Sequence, residues 1–195
     1  MSAVITKFYD EPEISVKEIL RYAGAREADG ALLSMLRECI EDARGVLSYK
    51  ACFLEAPLSL SGDICDFSFF SAKSKNLAKN LHGCSSVVIF AATVGIGIDR
   101  LIHKYSTLSP AKALLYQAIG AERIEALCDT FCDDIKSFTK ACRNRFSAGY
   151  GDLALETQKE IFKLLSPEKN IGLTLGESML MSPTKSGSAF LGIEK

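Results

Sequence analysis

The amino-acid sequence predicts an α+β fold, and three observations carry that prediction. Apolar residues recur at helical spacing in several separate stretches. A short β-branched run, "SSVVIFAAT", has the length and composition of a buried central strand. Helical and strand-like segments then alternate without a linker, a charge block or an internal repeat to divide them. With 195 residues, 48% of them apolar, the chain has enough material for one core, and we expect a single unit over residues 1–195.

Taken in order, Ser15 with Glu18 three residues later forms a capping box, and Gly24 closes the short helix "VKEILRYAG". A second helix presents Leu32, Leu33, Leu36, Ile40, Ala43 and Leu47 on one stripe. "SYKACFLE" and "DICDFSFF" predict a pair of strands divided by the turn-prone "APLSLSG". "SAKSKNLAKNLHG" reads as a helix stopped by Gly83, and the central strand "SSVVIFAAT" follows it. Ser109, with Pro110 at the first helical position, starts a long amphipathic helix to about Cys142. Its buried stripe is expected to include Leu114, Leu115, Ala118, Leu127, Phe131, Ile135 and Phe138. Asp152 is placed to cap a further helix, "LALETQKEIFKLL", with Pro167 as its stop. Two strand-like runs around a Pro-Thr-Lys-Ser-Gly turn close the chain.

Charge excludes one class of partner. The 23 basic and 24 acidic residues are scattered, so no basic surface recruits phosphate backbones and nucleic acid is not an expected partner. The N-terminal stretch has neither a basic region nor a long apolar run, and nowhere do about eighteen apolar residues follow one another. A soluble cytoplasmic protein without a membrane partner is expected. The seven cysteines are odd in number and dispersed, which suits reduced thiols.

Three places are candidates for chemistry. "AATVGIGID" sets Gly95 and Gly97 between a strand and a helix, as a dinucleotide-binding turn would. The third glycine is replaced by Arg100, and no acidic strand end follows about twenty residues on, so a tight structural turn is the better reading. The cysteines offer no Cys-x-x-Cys pair for a zinc site or a cluster, and buried packing accounts for them. The third place is "RFSAGYGD", residues 145–152, where a cation precedes a Gly-Tyr-Gly step. By itself it fits a connection in which Gly149 and Gly151 take left-handed backbone while Tyr150 packs on the core.

"RFSAGYGD", followed by "QKEIFKLL", "IGLTLGESMLMSP" and "KSGSAFLGI", resembles the activation domain of cobalamin-dependent methionine synthase, especially its free-standing form. "EILRYAGA", "SKNLAKNLHGC" and "AATVGIGID" resemble the same family, so the resemblance spans essentially the whole chain. It implies a C-shaped α+β domain built around a twisted antiparallel sheet with flanking helices. It also implies an Arg-x-x-x-Gly-Tyr site for S-adenosylmethionine, falling here on Arg145, Gly149 and Tyr150, with Gly151 beside them. "IEALCDTF" resembles the family's helix with a ligand-binding glutamate, which implicates Glu125, and "LGESMLMSP" implicates Glu177 as a neighbour of the site. After the tyrosine the fused form continues with proline, whereas this chain has Gly151 and Asp152.

The chemistry of that ligand suits these residue types. A carboxylate, an ammonium, a sulfonium and a flat adenine call for one cation, a nearby carboxylate and backbone that can be approached closely. Arg145 offers paired donors to the ligand carboxylate, Glu125 a partner for its ammonium, and Tyr150 a ring face or hydroxyl. Neither His82 nor His103 lies in an Asp-x-His-x-x-Gly signature, so the cobalamin must arrive on a separate methionine synthase or other corrinoid protein. The electron would come from a flavodoxin or ferredoxin-like donor. The resemblance therefore implies an accessory methyltransferase component that supports reductive methylation. The alternatives are a non-catalytic sensor or scaffold that binds the same ligand, and a metal or cluster protein.

Overall fold

Four antiparallel strands, β1 (Ile5–Tyr9), β2 (Tyr49–Pro57), β6 (Cys84–Thr93) and β9 (Ser186–Glu194), form one sheet in the order β1-β2-β6-β9. This is a computed structural model, and it describes residues 3–25, 27–139 and 142–194. Elements are numbered in chain order. The helices are α1 (Val16–Tyr22), α2 (Gly30–Arg44), α3 (Lys75–Asn80), α4 (Gly97–Leu108), α5 (Pro110–Phe138), α6 (Thr157–Leu165) and α7 (Pro167–Ile171). A small sheet joins β3 (Ser59–Ser61), β4 (Ile64–Asp66) and β5 (Ser71–Lys73), and β7 (Thr174–Leu175) pairs with β8 (Met181–Ser182). The α+β expectation holds, and its sheets are antiparallel.

The main sheet is covered on both faces, which explains why its central strand reads as an unbroken apolar run rather than an alternation. One face carries Phe53, Val88, Phe90, Ala189 and Leu191 against α1, α2, α4 and α5. The other carries Leu54, Val87, Ile89 and Phe190 against α3, α6, α7 and the small sheet. Register places Phe53 opposite Phe90 and Ile89 opposite Phe190, so neighbouring strands contribute to the same core. β6 is the expected central strand.

Several local expectations are corrected. "SYKACFLE" and "DICDFSFF" do not pair: β2 joins β1 and β6, and the second run keeps only three strand residues before Ser68 turns it with φ of 67°. The long helix ends at Phe138 rather than near Cys142, and Leu114 and Phe138 are 53% and 77% exposed. Leu114 and Leu115 are successive and stand about 100° apart on the helix, so only Leu115 faces the core. Phe138 instead lies under the Lys7 ammonium, 5.2 Å from the ring centre. The predicted helix from Leu153 starts only at Thr157, and Asp152 caps a different one, as described below.

Gly95 and Gly97 are a tight turn pressed onto the chain's own backbone. A Cβ on Gly97 would sit 2.2 Å from the Val46 carbonyl oxygen, and one on Gly95 would sit 2.5 Å from Ser48 Oγ. The space a pyrophosphate would need is filled by residues 46–48. Gly97→Ala is expected to cost about 1–3 kcal/mol of stability, because a backbone carbonyl must move to admit the methyl. Urea denaturation measures it, and an unchanged midpoint would show that the turn has slack.

Strand β1 is fastened to α5 through charge. Asp134 Oδ2 accepts hydrogen bonds from Lys7 Nζ at 2.5 Å and Tyr9 Oη at 2.8 Å. Burial by itself would raise the Asp134 carboxyl, but these two donors outweigh it and hold it below its ordinary 3.8. A depressed folded-state value means stabilisation that is complete above the unfolded value and is lost as pH falls through the folded one. Asp134→Asn should therefore be less stable than wild type at neutral pH, with the gap closing below about pH 4. Urea midpoints across pH 2.5–7 test this, and a gap independent of pH would contradict it.

Candidate functional site

Beyond the C-terminus of α5, residues 142–146 run back along the free edge of β9. Cys142 bridges Ile193 and Phe146 bridges Phe190, so four steps of this segment span three of β9. One residue is therefore extra, as in a β-bulge, and it falls between Arg143 N–H, which donates to the Gly192 carbonyl at 2.9 Å, and Phe146. Side chains alternate across the sheet edge. Phe146 is buried with the α6 side core, and Arg145 turns the other way onto α5.

On α5, Glu122, Glu125 and Asp129 are spaced three and four apart and so share one face. Glu125 and Asp129 would repel one another as an i,i+4 pair. Arg145 resolves this by bridging them: Nη2 donates to Glu125 Oε2 and Nη1 to Asp129 Oδ1. Its side chain is 26% exposed, against 54% and 65% for the two carboxylates, so the cation is the inner member of the set. Burial works against its charge, but the hydrogen bond to Asp129 and the surrounding negative groups outweigh it and hold the guanidinium above its already high ordinary pKa. It stays ionised.

Ser15, Glu18 and Tyr22, from the cap and body of α1, supply the opposite wall, and Arg123 and Glu122 hold the chain that leads into it. Arg123 is wholly buried; its Nη1 donates to the Pro12 carbonyl at 2.6 Å and its Nη2 to the Glu13 carbonyl at 2.7 Å. Glu122, next to it in sequence, accepts from Arg123 Nε at 2.5 Å and Nη2 at 2.6 Å, and from the Ser15 amide at 3.0 Å. That last bond takes the place of half of the predicted capping box. Ser15 Oγ does accept from the Glu18 amide at 3.3 Å, but Glu18 pairs with Arg21, and the reciprocal acceptor comes from α5. Between this wall and α5 lies a hollow of about 350 Å³ lined by Ser15, Glu18, Tyr22, Glu122, Glu125, Ala126 and Asp129. A second, of about 300 Å³, opens on the far side of Asp129 and is lined by Cys132, Arg143, Asn144 and Arg145 among others. A hollow of about 830 Å³ is lined, among the described residues, by α1 and its terminal turn. Hollows of about 540 Å³, between β1, β2, β6 and the end of α5, and about 390 Å³, between α6, α7 and β7, also lie between elements. The two meeting at Asp129 are the candidates because Glu125 lines one and Arg145 the other, which suits a ligand carrying both charges.

Gly149, Tyr150 and Gly151 form a closed loop directly after Phe146. The Gly149 amide donates to the Leu153 carbonyl at 2.9 Å, the Leu153 amide to Tyr150 at 3.1 Å and the Tyr150 amide to Ser147 at 3.2 Å. Both glycines have left-handed backbone, with φ of 83° and 58°. Tyr150 is 70% exposed and stands edge-on to Phe146, ring centres 5.5 Å apart. It does not pack into the core as the local reading of the turn had it.

No family model and no curated protein matches this sequence. A crystal structure of the MetH reactivation domain bound to AdoHcy matches in three dimensions, with a TM-score of 0.66 and 15% sequence identity over 98% of this chain and 78% of that one. This chain has the MetH reactivation-domain fold.

In this reactivation-domain fold, Arg145 and Glu125 meet directly although twenty residues separate them. Gly149, Tyr150 and Gly151 follow in the chain but stand apart from that pair: Tyr150 packs on Phe146, Gly151 abuts Asn76 of α3, and none of the three lines either hollow at Asp129. Glu177 is exposed on the turn between β7 and β8 and, among the described residues, makes no hydrogen bond or ion pair. Sequence reading missed Asp129, although its spacing from Glu122 and Glu125 was the available signal. It also missed Arg123, whose carbonyl partners lie about 110 residues upstream. Five of the seven cysteines are buried, and burial pushes Cys52 and Cys128 up to about 12, so these thiols stay protonated and unreactive at neutral pH. Among the described residues no helix is long and apolar enough to cross a membrane.

Proposed function

We propose that residues 1–195 act as one S-adenosylmethionine-binding unit, with the ligand held between α5 and the Arg145–Gly151 segment. The protein then supports reductive methylation of cobalamin on a separate methionine synthase or related corrinoid protein in the cytoplasm, a flavodoxin or ferredoxin-like protein supplying the electron. The observation that carries this reading is the bridge of Arg145 to Glu125 and Asp129 beside two hollows. A ligand with both a carboxylate and an ammonium can enter this set by exchange. Its carboxylate takes the Arg145 donors and its ammonium takes the carboxylates, so no buried charge is left unpaired.

The remaining residues follow from shape. Gly149 and Gly151 let the loop close tightly against Leu155 and Asn76, and exposed Tyr150 has a free ring face for a flat adenine. The fold supports the same ligand class, since the matching MetH reactivation domain is bound to AdoHcy. Bound S-adenosylmethionine is already an activated methyl donor, and the reduced corrinoid is the nucleophile. The chain therefore supplies orientation and exclusion of water rather than a general acid or base.

Calorimetry with S-adenosylmethionine tests the reading without a partner. One-to-one binding is expected; absence of both heat and any thermal shift at millimolar ligand would reject it. Transfer of labelled methyl to reduced corrinoid, with a methionine synthase present, then separates an accessory methyltransferase component from a non-catalytic sensor.

A further inference from the structure

Asp152 ends the Gly149–Gly151 loop and was expected to cap the helix that follows. Its carboxylate reaches the other way. It accepts hydrogen bonds from the Ser74 hydroxyl, from the Lys75 amide at 2.8 Å and from the Asn76 amide at 3.2 Å, residues 76 to 78 positions upstream. Ser74 already caps α3 by accepting from the Leu77 amide at 3.0 Å, so α3 has two acceptors at its start, one local and one imported.

That start is a firm anchor. Ser74 is 2% exposed and its amide donates to the Asp63 carbonyl at 2.8 Å, while Leu77 and Leu81 are wholly buried. The loop also sits flush against it. A Cβ on Gly151 would lie 2.4 Å from Asn76 Nδ2, so the absence of a side chain lets the loop backbone close on α3. The hydrogen bonds within the loop set its local shape, but they do not fix it to the body of the protein. Phe146 does so at one end, through β9, and Asp152 does so at the other.

We propose that Asp152 is a positioning residue for the ligand site: by fastening the loop to α3 it holds Tyr150 and the glycine backbone at the place where the ligand is received. This rests on the S-adenosylmethionine reading above for its functional half, while the fastening itself stands on the hydrogen bonds.

The test uses the full chain and two variants. Asp152→Ala removes the acceptor, and Asp152→Asn keeps one on a stem of the same length. In ligand-free protein, hydrogen exchange at the Gly149 and Leu153 amides should speed up about tenfold in Asp152→Ala, with β6 amides unchanged, and largely recover in Asp152→Asn. Under conditions where circular dichroism shows all three fully folded, the S-adenosylmethionine Kd should rise about tenfold in Asp152→Ala and return most of the way in Asp152→Asn. A loop that exchanges at the wild-type rate in Asp152→Ala overturns the fastening. A faster loop with unchanged Kd overturns the positioning role. If wild type itself binds no S-adenosylmethionine, the function proposed above falls, and the exchange rates still decide whether Asp152 holds the loop.

Discussion

Arg123→Met is expected to lower the unfolding free energy by about 3–5 kcal/mol, the largest single effect that this structure predicts. Arg123 is wholly buried and answers three acceptors at once: the Glu122 carboxylate and the carbonyls of Pro12 and Glu13. Methionine fills similar volume but offers no donor. Glu122, itself 4% exposed, would be left as an uncompensated charge, and two carbonyls would lose their partners. The double variant Glu122→Gln/Arg123→Met should recover part of the loss, because the stranded charge is gone while the carbonyls remain unanswered. Urea denaturation of the two variants measures this. A single-variant loss below about 1 kcal/mol would mean that water reaches the site and replaces the guanidinium. The structural consequence is local as well as global, since the carbonyls bound by Arg123 belong to the segment that leads into Ser15 and α1, which wall the candidate hollow.

Arg145→Ala should weaken S-adenosylmethionine binding by roughly ten- to a hundredfold, or about 1.5–3 kcal/mol, while changing stability little. The two effects separate for a physical reason. Glu125 and Asp129 are each more than half exposed, so losing their bridge leaves only a screened i,i+4 repulsion of a few tenths of a kcal/mol. In the proposed complex, by contrast, the ligand carboxylate would lose both donors of a fork. Arg145→Lys should restore the charge but not the paired geometry, and so recover only part of the affinity. Calorimetry on the three proteins checks this, with thermal unfolding as the control. Equal affinity in wild type and Arg145→Ala would remove Arg145 from the site.

Most of the elements were legible from local pattern. Helix starts at Ser15 and Ser109 were correct because a cap is a contact between residues two or three apart. β6 was legible because a strand buried on both faces must be apolar throughout. Pairing was not. Nothing in "SYKACFLE" says that its neighbours are β1 and β6 rather than the next run, since any of them offers the same backbone donors and acceptors. Asp152 shows the same limit at the scale of one residue. A carboxylate before a helical pattern is a good cap for whichever helix start comes within reach, and folding brought α3 closer than α6.

The candidate site divides along that line. Arg145 and the Gly-Tyr-Gly step could be singled out from the chain through the Arg-x-x-x-Gly-Tyr resemblance, since their local pattern by itself fits a plain connection. That Arg145 lies between Glu125 and Asp129, that Arg123 holds the facing wall, and that Asp152 ties the loop to α3 were decided by tertiary structure. Sequence determines what each residue can offer: a charge, a donor, a missing side chain. Which offers meet depends on the packing of α5 against the sheet edge, where residues far apart in the chain come within hydrogen-bonding distance and local preference has no say.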